Sequence, residues 1–191
     1  MSHPQYEDEE RRSWQNPEEM LHKIGLEPGF TLVDVGCGAG FFTLPAARLV
    51  GEAGKVYGLD ADREAISRLR DKAAREDLRN LSLRLGKAEE TILCEACADI
   101  VFFSIALHDF RDPRQVLMNA RIMLKPKGRL VDLDWKKESM EIGPPLEKRF
   151  SMKKARCLIE AAGFKTEAVE DAGPYQYLIV ARPQKQERSL S

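Results

Sequence analysis

The chain has 191 residues, 43% of them hydrophobic and 32% charged, which is the balance of a single globular domain. Its 30 Lys and Arg against 31 Asp and Glu give a net charge of −1, so no basic excess favours a nucleic-acid backbone as partner. No apolar run is long enough to span a bilayer, and the acidic N-terminus lacks a signal-peptide pattern. We therefore expect a cytoplasmic protein without membrane insertion or nucleic-acid binding.

The four cysteines do not form a convincing metal site. Cys94 and Cys97 have C-x-x-C spacing, but neither Cys37 nor Cys157 nor any of the three histidines completes a zinc ligand set at a suitable distance along the chain. We interpret Cys94 and Cys97 as two ordinary thiols, and we predict no metal.

The N-terminal segment differs in composition from the rest of the chain. Residues 1–15 are charged and lack periodicity, so we predict a mobile arm, with a lid over the binding site as its possible role. Asn16 and Pro17 are residue types that start a helix. The domain is therefore predicted to span 16–183, followed by a polar tail at 184–191.

Apolar strands and amphipathic helices alternate from residue 31 onward, which is typical of a mainly parallel sheet. The pattern predicts strands at 31–35, 55–59, 81–85, 99–103 and 129–133, and helices at 41–50, 63–76, 113–124 and 152–162. The last two strands, 164–170 and 175–181, are too close for a crossover helix and must form an antiparallel hairpin. The predicted fold class is α/β: a three-layer, Rossmann-like, seven-stranded, mainly parallel sheet with an antiparallel C-terminal hairpin.

Three alternate glycines follow the first strand, in the segment Val33-Asp34-Val35-Gly36-Cys37-Gly38-Ala39-Gly40-Phe41. A dinucleotide fingerprint, G-x-G-x-x-G, would place its third glycine one residue later. The spacing therefore indicates a cofactor without a pyrophosphate and disfavours an NAD-dependent oxidoreductase. A simple tight turn is the alternative interpretation.

Together with Asp34, these glycines resemble the first motif of the class I S-adenosylmethionine-dependent methyltransferases. Further segments resemble the family's later motifs: Asp60 after the second strand, Leu85-Gly86-Lys87-Ala88-Glu89-Glu90 after the third, and Leu124-Lys125-Pro126-Lys127-Gly128 before the fifth. The ubiquinone and menaquinone biosynthesis methyltransferase-like proteins are the most similar group. The resemblance implies S-adenosylmethionine as cofactor, bound by Asp34, Gly36, Gly38, Gly40, Asp60, Ala61, Lys87, Ala88 and Ser104.

The roles of Asp60 and Lys87 are not decided by the motifs alone. Asp60 ends the second strand, where an acid can accept both hydroxyls of a ribose; it could instead cap the next helix, although Asp62 is available for that role. Family members usually carry Asp where Lys87 stands, and a lysine cannot accept a hydrogen bond from the adenine amine. Adenine recognition would then depend on backbone groups around Ala88 and on apolar stacking.

The ends of the fourth and fifth strands should face the methyl acceptor. Ser104-Ile-Ala-Leu107 lacks the Asn/Asp-Pro-Pro-Tyr/Phe motif of enzymes that methylate amide or exocyclic amino nitrogens, so we expect a small-molecule acceptor that reacts at carbon or oxygen. The titratable residues expected at this mouth are His108, Asp109, Asp132, Asp134 and Glu138. His108 and Asp134 are the predicted catalytic residues, because a histidine changes charge nearest neutral pH.

Each of these assignments has an alternative. His108 could merely donate to a backbone carbonyl, and Asp134 could satisfy the backbone of the following turn. Lys136, Lys137 and Arg149 either bind an anionic acceptor or form solvated surface. For the whole chain, the alternative is a non-catalytic module that binds S-adenosylmethionine. The sequence leaves the oligomeric state open.

Overall fold

A computed structural model describes residues 8–184. The helices are α1 (Asp8–Arg12), α2 (Pro17–Lys23), α3 (Thr43–Val50), α4 (Arg63–Arg75), α5 (Pro113–Met123) and α6 (Met152–Ala161). The strands are β1 (Thr31–Val35), β2 (Lys55–Asp60), β3 (Leu81–Leu85), β4 (Ala98–Ser104), β5 (Leu124–Trp135), β6 (Phe164–Ala172) and β7 (Gln176–Pro183). Parts of the predicted arm and tail, 1–7 and 185–191, lie outside the described residues. Within 8–184, no helix is both long and apolar enough to cross a membrane.

The seven strands form one sheet in the order β3-β2-β1-β4-β5-β7-β6. β1 pairs in parallel with β2 and β4, β2 with β3, and β4 with β5. β7 runs antiparallel to both β5 and β6. The winding reverses between β1 and β4, and doubly wound sheets bind ligands at the carboxyl ends of the strands at such a point. The predicted fold class is confirmed.

Helices cover both faces of the sheet, and alternation along the strands decides which residues each face receives. Leu133 of β5 packs with residues of α2 and α3, whereas Leu130 packs with residues of α5 and α6. Successive side chains of a strand point to opposite faces. Asp132 and Asp134 of β5 therefore lie on the face that α5 and α6 cover.

The structure differs from the predicted elements in several places. α1 is a short helix within the predicted arm, and α3 begins at Thr43 because the chain still turns at Gly40, which has a φ of 94°. β5 begins five residues earlier than predicted, at Leu124, where it pairs with the start of β4. Residues 86–97 join β3 to β4 without a helix, so the strand–helix alternation is incomplete.

The connection from β3 to β4 also contains a disulfide between Cys94 and Cys97. The prediction of two separate thiols is therefore wrong. Ala96 has a φ of 46°, and this left-handed turn brings the two Cα atoms to 6.0 Å. Cys37 and Cys157 remain as free thiols, the first buried and the second exposed.

Candidate active site

The surroundings of the three glycines in the loop after β1 differ. Gly36, Gly38 and Gly40 have φ values of 81°, 53° and 94°, in the left-handed region that favours glycine. A Cβ at Gly36 would lie 2.7 Å from the Cβ of Ala106, and a Cβ at Gly40 would collide with Leu69. A Cβ at Gly38 would meet no atom within 4 Å. Gly36 and Gly40 therefore allow close packing, whereas the space next to Gly38 is open.

Asp60 is fixed by backbone amides at the end of β2. Its Oδ2 accepts a hydrogen bond from the N–H of Gly38 at 2.8 Å, and its Oδ1 accepts one from the N–H of Asp62 at 2.8 Å. Asp62 itself caps α4, so the helix-capping role is filled without Asp60. A carboxylate has about four acceptor sites, so Asp60 can still accept bonds from ribose hydroxyls. The neighbouring Ala61 is exposed.

Asp34 lies beneath the glycine loop. It is 1% exposed, and its Oδ2 accepts a hydrogen bond from the hydroxyl of Thr43 at 2.6 Å. Its Oδ1 has no hydrogen-bond partner among the described residues. Burial raises the pKa of Asp34 to about 6, although the bond from Thr43 opposes the rise. Asp34 ties β1 to α3 under the loop, and a direct contact with a cofactor stays a prediction.

The loop after β3 offers backbone groups at the predicted adenine position. The Lys87 side chain is 66% exposed and pairs with Glu90 at 3.1 Å. Ala88 is buried, and its carbonyl accepts a hydrogen bond from the side chain of Asn119 on α5 at 2.9 Å. The Ala88 carbonyl is therefore engaged by α5 and the Lys87 side chain faces solvent, so adenine recognition around Ala88 stays a prediction.

The first half of the described arm lies against the glycine loop and the end of β4. Asp8 pairs with Lys72 of α4 at 2.6 Å. The guanidinium of Arg11 donates to the hydroxyl of Ser104 at 2.8 Å and lies 4.1 Å from the ring centre of Phe41. Ser104 is 8% exposed, so Arg11 covers the predicted cofactor residue at the end of β4.

The second half of this arm reaches the other side of the crevice. The Trp14 and Trp135 rings are 5.2 Å apart between centres. The side-chain amide of Gln15 donates to that of Gln176 on β7 at 2.6 Å. Residues 8–15 thus run from α4 to β7, across the carboxyl ends of the strands between them.

His108 follows β4 in a short 3₁₀ turn, Leu107–Asp109. Its Nδ1 lies 2.7 Å and 2.9 Å from the two carboxylate oxygens of Asp134, and its Nε2 lies 3.1 Å from Oδ2 of Asp109. Ile105 just before the turn has a φ of 57°, which is strained for a β-branched residue. The structure therefore brings together the two predicted catalytic residues and adds Asp109.

The contacts of His108 and Asp134 bear on the alternative roles of these two residues. His108 contacts two carboxylates and not a backbone carbonyl. Asp134 does accept a bond from the backbone N–H of Trp135, at 2.7 Å, in addition to its contact with His108. The side chains of His108 and Asp134 are each 1% exposed, whereas that of Asp109 is 16% exposed. Asp109 is therefore the member of the cluster that reaches the surface.

The charges in this cluster depend on one another. Burial lowers the pKa of His108, but its hydrogen bonds to Asp109 and Asp134 outweigh burial and raise the pKa to about 10. Asp132 is fully buried, and neither of its carboxylate oxygens has a hydrogen-bond partner among the described residues. Burial and repulsion from Asp134 raise the pKa of Asp132 well above its usual range. A pKa of about 10 makes His108 an imidazolium at neutral pH, and burial favours the uncharged form of Asp132.

The segment after β5 is organised around a buried arginine. Arg149 is 4% exposed, and its guanidinium donates to the carbonyls of Pro144, Lys136, Glu138 and Ile142. The expectation of an acceptor-binding or solvated Arg149 is wrong, because the side chain is buried and its N–H groups bind backbone carbonyls of this segment. Lys136 pairs with Asp171 of β6 at 3.1 Å.

Sequence reasoning missed two contributors to the site and the partner of a third. Arg11 lies in the arm that was predicted as a lid, but no pattern in that charged segment indicates its contact with Ser104. Thr43 is an ordinary helix residue until the turn at Gly40 directs it toward Asp34. Tyr177 pairs with Asp134 across β5 and β7, and only the strand register reveals this.

The fold and the crevice together define a class of protein. A glycine loop after β1, an acid ending β2 and a single antiparallel strand at β7 are the arrangement of a class I S-adenosylmethionine-dependent methyltransferase. The residues present also fit that cofactor, because open space at Gly38 lies beside the fixed carboxylate of Asp60.

The chain belongs to the methyltransferase domain family, whose model matches residues 26–177. It is 31% identical to an S-adenosylmethionine-dependent methyltransferase from Aquifex aeolicus, with a TM-score of 0.85 and coverage of 90% of this chain and 91% of that one. The predicted family and cofactor are thereby confirmed.

Two curated relatives match shorter stretches. Demethylmenaquinone methyltransferase of Bacillus mycoides is 30% identical over 129 residues, which are 68% of this chain and 54% of that protein. Arsenite methyltransferase of Halobacterium salinarum is 31% identical over 109 residues, 57% of this chain and 28% of that protein. The chain thus spans between about a quarter and about half the length of these relatives.

Proposed function

We propose that this protein transfers a methyl group from S-adenosylmethionine to a small-molecule acceptor, at oxygen or carbon. The observation that carries the proposal is that two unlike groups of residues lie at the carboxyl ends of the strands. One side has open space at Gly38 and the fixed carboxylate of Asp60, and the other has the His108–Asp134 pair. The cofactor supplies the methyl group on a sulfonium.

The residues proposed to hold the cofactor divide by role. Asp60 accepts the ribose hydroxyls, and the glycine loop supplies backbone groups and space. The backbone at Ala61, Lys87 and Ala88 borders the adenine position, because the Lys87 side chain turns to solvent. Asp34 supports the loop from below, and Ser104 lies at the end of β4 under Arg11.

The acceptor is the less constrained half of the proposal, since the names of the two relatives specify a demethylated quinone and arsenite. Soft ions favour thiolate ligands. Among residues 8–184, Cys94 and Cys97 are joined, Cys37 is buried in the glycine loop, and Cys157 is exposed on α6. These cysteines do not converge on the crevice. A hydroxyl or an activated carbon acid suits the His108 cluster better, because such an acceptor must lose a proton.

A non-catalytic module that binds S-adenosylmethionine is the second candidate function. The contact that favours it is the one between Arg11 and Ser104, which places a guanidinium over the end of β4 where an acceptor would enter. Under the first proposal, residues 8–15 act as a lid that opens for the acceptor. Under the second, they stay closed.

The first test is calorimetric titration of S-adenosylhomocysteine into the full chain and into Asp60→Ala. Hydrogen bonds to a charged group contribute about 1.5–3 kcal/mol, so Asp60→Ala should weaken binding at least tenfold. Asp62→Ala is the matched control, since it removes the α4 cap without removing the carboxylate between Gly38 and the crevice. A wild-type protein that does not bind would refute the cofactor assignment.

The second test is transfer of a labelled methyl group to a panel of acceptors: catechols, demethylated quinols, activated carbon acids, amides and arsenite. Methylated oxygen or carbon supports the proposal. Methylation of amides or arsenite alone contradicts its acceptor part. Tight binding of S-adenosylhomocysteine without methylation of any panel member favours the non-catalytic module.

The lid is tested separately by limited trypsin digestion, because Arg11 and Arg12 are natural cleavage sites in the arm. S-adenosylhomocysteine should slow cleavage at these residues if the arm closes over bound ligand. Equal cleavage with and without the ligand would refute the lid.

A further inference from the structure

We propose that Asp109 is the catalytic residue that receives the proton of the acceptor, and that His108 and Asp134 are positioning residues behind it. This inference rests on the proposed function and identifies the group in that site that touches the acceptor. It differs from the expectation that His108 itself is the base.

The hydrogen-bond geometry carries the inference. Both ring nitrogens of His108 are already engaged, Nδ1 by Asp134 and Nε2 by Asp109. The ring is 1% exposed, so an acceptor cannot reach it without displacing one of the carboxylates. Asp109 is 16% exposed and ends the 3₁₀ turn that follows β4, beyond the carboxyl end of that strand.

The charges around His108 explain why the ring does not act as a base. Asp109 faces it from its own turn and Asp134 from β5, and both favour the imidazolium. Asp132 of β5 and Tyr177 of β7 lie beside Asp134, and burial favours the uncharged form of each. An imidazolium has no lone pair to accept a proton. Its N–H group instead donates to the Asp109 carboxylate and orients it.

The proposed step balances for a hydroxyl acceptor. The acceptor oxygen forms a bond to the methyl carbon while the carbon–sulfur bond breaks, with its electron pair going to sulfur. The hydroxyl proton goes to the carboxylate of Asp109, which then releases it to solvent through its exposed edge. His108 keeps its proton throughout, and Asp134 holds the ring in the orientation that points Nε2 at Asp109.

The first experiment needs no acceptor. Nitrogen NMR of the histidine rings in the full chain, assigned with His3→Gln and His22→Gln, should show His108 protonated at both nitrogens from pH 6 to 9. Asp109→Asn should lower the pKa of His108, because one of its two carboxylate partners loses its charge. Asp71→Asn, an exposed change on α4, should leave it unchanged. A neutral His108 ring at pH 7 in the wild type would overturn the proposal.

The second experiment uses an acceptor from the panel whose hydroxyl stays protonated across the pH range studied. With Asp109 as base, kcat should not follow the titration of His108. With His108 as base, it should rise about tenfold per pH unit toward the His108 pKa of about 10. Asp109→Asn should lower kcat by about 10²–10⁴ without weakening S-adenosylhomocysteine binding, and Asp109→Glu should restore part of the loss.

The two proposals fail in different ways. If the wild-type protein binds no S-adenosylhomocysteine, or binds it and methylates no panel member, the proposed function fails and this step fails with it. If it binds and methylates while Asp109→Asn keeps full kcat, only the present inference is overturned. A wild-type kcat that rises with pH toward the His108 pKa would also overturn the inference, because it would identify His108 as the base.

Discussion

The two sides of the crevice are built from different groups. On the β1–β2 side, the main features are backbone at Gly38 and one carboxylate, Asp60, which two backbone amides hold in place. On the β4–β5–β7 side, they are buried titratable side chains, with His108 and Asp134 in direct contact. Backbone amides do not titrate near neutral pH, whereas buried acids and histidines make structure and charge depend on each other. We therefore expect ligand affinity to depend on loop geometry on the first side and on pH-dependent charge on the second.

The largest expected effect is that of Arg149→Ala, which tests whether the β4–β5–β7 side can be destabilised without a change in ligand binding on the β1–β2 side. Arg149→Ala removes a buried guanidinium and the hydrogen bonds that it donates to four carbonyls of the segment after β5, so the free energy of unfolding should fall by about 3–5 kcal/mol. At temperatures where the variant remains folded, its Kd for S-adenosylhomocysteine should stay within twofold of wild type. Urea denaturation and calorimetry measure the two quantities.

Lys137→Ala is the matched control for this prediction, because Lys137 is an exposed cation in the same segment. It should change the free energy of unfolding by less than about 0.5 kcal/mol. If Arg149→Ala weakens ligand binding as much as it weakens folding, the two sides are one cooperative unit and the comparison breaks down.

Asp34 is the exception on the cofactor side, because it is a buried titratable group there. Its pKa is about 6 in the folded protein, against about 3.9 in an unfolded chain. In the folded state Asp34 therefore binds its proton more tightly than in the unfolded chain. The resulting stabilisation of the fold is complete below pH 4 and is lost as pH rises through 6. The loss amounts to about 3 kcal/mol. Asp34→Asn should remove this pH dependence.

The measurement is the free energy of unfolding from urea titrations at intervals between pH 4 and 7, for wild type and Asp34→Asn. The difference between the two curves should change by about 2 kcal/mol across this range. His108 contributes in a separate window: its pKa is raised from 6.5 to about 10, so its share is complete below 6.5 and lost as pH rises through 10. Parallel curves between pH 4 and 7 would contradict the assignment to Asp34.

Gly36 and Gly38 provide a comparison within the loop itself. Gly36→Ala puts a Cβ 2.7 Å from the Cβ of Ala106 at a φ of 81°, so it should lower the free energy of unfolding by about 2 kcal/mol or more. Gly38→Ala meets no neighbour within 4 Å, and only its left-handed φ should cost stability, about 1 kcal/mol.

Binding should rank these two variants in the opposite way. Gly38→Ala fills the space proposed for the cofactor and should weaken S-adenosylhomocysteine binding more than tenfold in a protein that stays folded. Gly36→Ala should bind more nearly like wild type once it is folded. Thermal unfolding measures the change in stability, and calorimetry on the same samples measures the change in affinity. A Gly38→Ala variant with wild-type affinity would show that the space next to Gly38 is not part of the cofactor site.

The fold was predictable because its signals are local. Five strand patterns predicted the parallel strands, and the short link after residue 170 required a hairpin, which the structure has as β6 and β7. The glycine loop was predictable for the same reason, since positive φ angles at Gly36, Gly38 and Gly40 need glycine.

The site was predictable only in part, because its second half depends on contacts between distant residues. The sequence placed His108 and Asp134 at the same mouth of the sheet, but their direct contact joins residues 26 positions apart, and the composition of neither segment indicates that contact. The contact of Arg11 with Ser104 spans 93 residues. Arg149 looked like a surface cation because a guanidinium that binds carbonyls and one that faces water have the same sequence signature.

The smallest effect concerns the position where this chain departs from the family pattern. Lys87→Asp would place an acceptor where the adenine amine is expected, and one new hydrogen bond contributes about 0.5–1.5 kcal/mol. We therefore expect S-adenosylhomocysteine to bind about twofold to tenfold more tightly. Lys87→Ala separates the new bond from the loss of the Glu90 ion pair, which should matter little because both partners are exposed. The gain should vanish with the inosine analogue of the ligand, which lacks the amine. If affinity for both ligands increased equally, the cause would be the change in net charge near the site and not a hydrogen bond to the amine. The adenine position assigned to the loop after β3 would then be wrong.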